Sequence, residues 1–128
     1  MRMLGGLSIN ALDLGRPGSE ALSLVHEHLP LALDQDRYST GIALCRCAHV
    51  LARTGNVDAA ARILTRAEAL YEELGVMERW VAKMNEDTKT VIRAALDQAA
   101  FAKACEQGNS LTLDEAVELA LAATAADV

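Results

Sequence analysis

At 128 residues, with 52% apolar and 3% aromatic residues and a formal charge of −6, the chain has room for one domain whose core must be filled by Leu, Ala, Val and Ile. Lys and Arg are scattered and outnumbered, so a phosphate-reading surface, and with it direct nucleic-acid binding, is not expected. No stretch approaches the roughly 20 consecutive apolar residues that span a bilayer.

Cys45, Cys47 and Cys105 make an odd cysteine count, which fits a reducing cytoplasm better than a disulfide scaffold. Met3 to Leu14 carries Asn10 and Asp13 and lacks a charged start before a long apolar run, so it is not read as a targeting peptide. Ala, Leu, Glu and Arg dominate, and Val, Ile and Thr never alternate in runs. The expected fold class is all-α, with about six or seven helices packed pairwise.

In chain order, a first hairpin is expected over 1–33. Leu4, Leu7, Ala11, Leu12 and Leu14 mark its first helix, and Gly15-Arg16-Pro17-Gly18 stops it. Ser19 is the candidate N-cap of the next helix, which carries Ala21, Leu22, Leu24, Val25 and Leu29. Pro30 removes a donor and predicts a kink or stop, with at most one more turn through Leu33. His26 and His28 lie two apart, on different sides, and read as partly exposed.

The central hairpin spans 39–75. Leu44, Cys47, Ala48 and Leu51 form one stripe, and Gly55-Asn56 turns the chain. Ala60, Ile63, Leu64, Ala67, Leu70, Tyr71 and Leu74 form the answering stripe, closed by Gly75. Capping helices are expected over 77–124. Met77, Trp80, Val81, Met84, Thr88, Val91 and Ile92 predict one long helix, or two with a break near Asn85. A further helix covers Gln98 to Gln107 and ends at Gly108. Thr112 with Glu115 forms a capping box before Leu113, Ala116, Val117, Ala120 and Leu121.

The two hairpins superpose at an offset of about 40 residues, a period that marks stacked helix pairs. Leu44, Ala48, Leu51, Gly55, Ala60, Leu64 and Ala67 resemble the small and large signature positions of a tetratricopeptide repeat. Most of that motif's aromatic residues and its terminal proline are missing. The run from Ala59 to Gly75, continued by Ala100-Phe101 and Gly108 to Val117, resembles the last repeat of large bacterial LuxR-family and AfsR-like ATPase transcriptional regulators. The resemblance covers roughly Ile42 to Leu121. It implies a tetratricopeptide-like, short right-handed α-solenoid acting as a non-catalytic sensing or scaffolding module. Neither a G-x-x-x-x-G-K loop nor a recognisable DNA-binding module accompanies it in this sequence.

Cys45 and His49 share a helix face at i, i+4, which would supply half a zinc site or a Cys–His nucleophile pair. Cys47 points elsewhere, and no spacing recruits His26, His28 or Cys105 as further ligands. No metal, cofactor or catalytic residue is therefore expected; a small enzyme or metal-binding subunit using Cys45 and His49 is the alternative. By the resemblance, the first helix of the central hairpin lines a concave groove with Cys45, His49, Ala52 and Arg53. Arg53 would hold a carboxylate and His49 would be a titratable contact for a small effector. The stripe of Met77, Trp80, Val81 and Met84 reads first as core. The alternative is a docking face, with Trp80 and Met84 as anchors. Leu4 and Leu7 at the uncapped N-terminal end are the other interface candidates. The partner would be a protein or a second copy in a dimer.

Overall fold

The computed structural model describes residues 13–15 and 18–125. Its described residues form six helices and no strand: α1 (Gly18–Leu33), α2 (Arg37–Arg53), α3 (Val57–Leu74), α4 (Arg79–Ala95), α5 (Gln98–Asn109) and α6 (Leu113–Ala123). The helix expected over the first 14 residues, with Leu4 and Leu7, lies almost wholly outside the described residues.

Each boundary has a local cause. Asp36 caps α2 by accepting the Ser39 N–H at 2.7 Å, and that bond holds its carboxyl below the usual carboxylate range. Gly55, at φ 102°, makes the left-handed step that lets the chain reverse into α3. Asp97 caps α5 through the Ala100 N–H, and the Thr112–Glu115 capping box opens α6 as expected.

Several boundaries differ from expectation. α1 begins at Gly18, so Ser19 lies in its first turn, and it runs through Pro30 to Leu33. Pro30 is exposed, so its ring finds room on the solvent side and only the carbonyl of His26 goes without its helical donor. Of the two alternatives expected for α4, the structure has the single continuous helix, with Asn85 inside it. Gly108 does not end α5 but lies within it as a contact residue: a Cβ there would come 2.6 Å from the Arg62 carbonyl of α3. Its missing side chain lets two helix backbones touch.

α2 is the axis of the fold. It is buried almost all round from Thr40 to Ala52, with Leu44, Cys45, Cys47, Ala48 and Val50 fully inaccessible. A helix with this burial needs neighbours on every side. α1 and α3 flank it as antiparallel hairpin partners, α4 covers a third side, and α6 returns along α3 to reach α2 and α1 as well. α5 packs mainly on α3. All six helices feed one continuous apolar core. Small side chains do much of this work: Ala60, Ala61 and Ala67 on α3 and Ala43, Ala48 and Ala52 on α2 are buried where the helices pack most closely.

Candidate functional site

Of the residues predicted to line an open groove, Cys45 and His49 lie instead beneath α4, while Arg53 stays exposed. Cys45 is fully buried and His49 only 6% exposed, because α4 sits on the α2 face that carries them. They belong to a polar seam between two helices. His49 Nδ1 lies 2.9 Å from Thr88 Oγ1 of α4. Thr88 already gives its hydroxyl proton to the Met84 carbonyl at 2.9 Å, so it can only accept from the ring. Nδ1 of His49 is therefore protonated, and its Nε2 is the lone-pair side when the ring is neutral. Arg53 Nη1 approaches that Nε2 at 3.5 Å and is held by Asp13 Oδ1 at 2.7 Å.

This seam sets the chemistry of its members. Burial, then the Arg53 guanidinium, lowers the His49 pKa; Asp13 and Asp87 partly oppose them. Burial pushes the Cys45 thiol up to about 12, and Cys47 likewise, so both are protonated at neutral pH. The Cys45 thiol lies against the Asn85 amide, whose Oδ1 and Nδ2 find no conventional hydrogen-bond partner although the residue is fully enclosed. Among the described residues, no group of three or more His, Cys, Asp or Glu side chains is placed to hold a metal ion. His28, expected on a polar face, is buried between helices; His26 is half-buried and lies 2.9 Å from Oγ1 of Thr124, the C-cap of α6.

A second constellation lies on the surface where α4 begins. Trp80 is 43% exposed, whereas Met84, one turn further, is 8% exposed and belongs to the core. The difference corrects Met84 as an interface residue: it faces inward with Val81 and Thr88, and Trp80 does not. The Arg46 guanidinium of α2 lies 5.1 Å from the centre of the Trp80 ring. Glu78 gathers donors beside it: Trp80 Nε1 donates to Oε2 at 2.7 Å and the Tyr38 hydroxyl to Oε1. Tyr38 meets Tyr71 edge to face at 5.5 Å, and the Tyr71 hydroxyl donates to the Tyr38 carbonyl.

The chain's single Trp and both its Tyr residues thus meet in one patch, although a sequence stripe pointed only to Trp80. Arg46, Tyr38 and Glu78 were hidden because they stand about 40 positions apart or in a loop, beyond any helical period. A shallow groove of about 600 Å³ opens beside the patch, with Ala69, Val76 and Met77 as its apolar surface and Glu68, Glu72 and Lys89 as its charged rim. Val76 is exposed there, and Glu68 and Lys89 pair at 3.0 Å. A smaller cavity of about 90 Å³ lies on the other side of Tyr38, against His28 and Arg46.

The described residues define an all-helical fold, and no helix among them is long and apolar enough to cross a membrane. No family model, curated protein or solved structure matches the chain.

Proposed function

We propose that this chain is a non-catalytic, cytoplasmic helical-repeat module that docks a protein, with a second copy of itself as the first partner to test. In this reading α2–α3 is a tetratricopeptide-like hairpin, flanked by α1 and α4 in a short right-handed stack. Its resemblance to the helical region of bacterial transcriptional regulators supports a role on the signalling side of such a system, without contact to nucleic acid. The carrying observation is the Trp80 patch. An indole 43% exposed is set in place by Arg46, Glu78 and Tyr38, in a chain with almost no other aromatic residues. A preordered Trp beside Tyr and Arg loses little side-chain entropy when covered, and these three residue types dominate the energetics of protein interfaces. Exposed Val76 and half-buried Met77 extend the apolar area towards the neighbouring groove.

Sedimentation velocity over a concentration series tests the reading. The parent is expected to gain mass with concentration, and Trp80→Ala to need roughly thirty-fold more protein for the same association, the effect of losing an anchor of about 2 kcal/mol. A folded parent that stays monomeric throughout, with Trp80 fluorescence independent of concentration, would overturn self-docking through this surface.

A further inference from the structure

We propose that α4 is an acid-released lid, whose closed seat on α2 requires a neutral His49 and whose opening uncovers the buried Cys45–His49 face of α2. The inference concerns the buried side of α4 and does not depend on what docks at Trp80.

Three geometric facts carry it. First, the site of the second ring proton is disfavoured: Nδ1–H is given to Thr88 in either charge state, and Nε2, where the added proton would go, faces the Arg53 guanidinium. A proton on Nε2 would point at a cation in a part-buried space. Second, the seam is the under-satisfied boundary of the core, since α4 buries the Asn85 amide against a thiol without giving either amide atom a conventional partner. Opening would return that amide, and the ring, to water. Third, α4 is held mainly by α2 and α3 and touches α5 only slightly, so its release need not dismantle the rest of the core.

The charges acting most on the ring are Arg53 from its own helix, Asp13 from the segment before α1 and Asp87 from α4; α1, α3 and α6 supply none of these. Burial and Arg53 disfavour the proton more than the two carboxylates and the Met84 carbonyl favour it, so the closed state binds it more weakly than an open, hydrated state does. Acid therefore shifts the population towards the open state, and the shift begins as pH falls through the ordinary histidine range.

Trp80 is the only tryptophan and lies on α4, so its fluorescence reports the lid directly. The test compares the parent, His49→Asn and His26→Asn between pH 7.5 and pH 5, with far-UV circular dichroism recorded alongside. Asn keeps an N–H donor near the Nδ1 position but does not titrate. The expected result is a change in Trp80 emission in the parent and in His26→Asn, with most helix retained, and loss of that change in His49→Asn. The same change surviving in His49→Asn, or no change in the parent, would overturn the proposal. Should His49→Asn fail to fold, imidazole NMR of the parent decides. A His49 resonance that titrates together with the Trp80 indole N–H supports the lid, and one that titrates with the indole unmoved refutes it.

Discussion

A proton and a missing methyl group mark the two residues on which the interior depends most sharply. His49 binds a proton less readily in the fold than in the unfolded chain, so its contribution to stability is fully present above the unfolded histidine pKa of about 6.5 and is lost as pH falls below that value towards the lower folded one. The slope of stability against pH just below 6.5 should therefore be positive, and His49→Asn should flatten it; urea titrations at several pH values read this out. Gly108 faces the backbone of α3, where a Cβ would sit 2.6 Å from the Arg62 carbonyl and 2.9 Å from Thr65 Cβ. Backbone atoms cannot step aside as a flexible side-chain end can. Gly108→Ala is expected to cost about 1–3 kcal/mol through overpacking, measured as a lower urea midpoint.

Among the helices, α2 and α6 play opposite parts. α2 is built to be surrounded: Leu44 and Leu51 are both buried, and each full burial contributes roughly 1.5–3 kcal/mol. Leu51→Asp would leave a charge unpaired in that interior and should abolish cooperative folding; a variant melting like the parent would contradict the placement of α2 at the centre. α6 instead depends on its start. The Thr112 hydroxyl accepts the Glu115 N–H at 3.1 Å, and Glu115 returns a carboxylate to the Thr112 N–H at 2.8 Å. Since α6 reaches α1, α2 and α3, weakening its cap loosens the closure of the bundle. Thr112→Ala should cost about 1 kcal/mol in a thermal melt, with little change in helix content at 25 °C.

For the whole molecule, the single core predicts a single transition. Because α2 shares apolar surface with α1, α3, α4 and α6, no pair of helices can leave at neutral pH without exposing it. Helicity by circular dichroism and Trp80 fluorescence should therefore trace the same urea curve at pH 7.5. At acid pH the two should separate if α4 opens ahead of the rest.

The periodic, local features of this protein were legible in the sequence alone. Apolar residues at three- and four-residue steps and the signals at Gly55, Gly75 and the Thr112–Glu115 box placed all six described helices, leaving open only whether α4 was one helix or two, because each acts within one turn of chain. The apolar face of α2 through Leu44, Ala48 and Leu51 was read in the same way. Only the tertiary structure decided what covers the other face. Cys45 and His49 were groove-facing by the resemblance alone, and a helical period reports which residues share a side, not whether another helix will sit there; α4 does. His28 is buried for the same reason. Gly108 reads as a helix stop in sequence, and its use as a close contact depends on Arg62, 46 positions away. The Trp80 patch draws on residues 38, 46 and 78–80, and nothing in local spacing joins them. Their meeting follows from α4 crossing over α2, a choice made by the packing of the whole core.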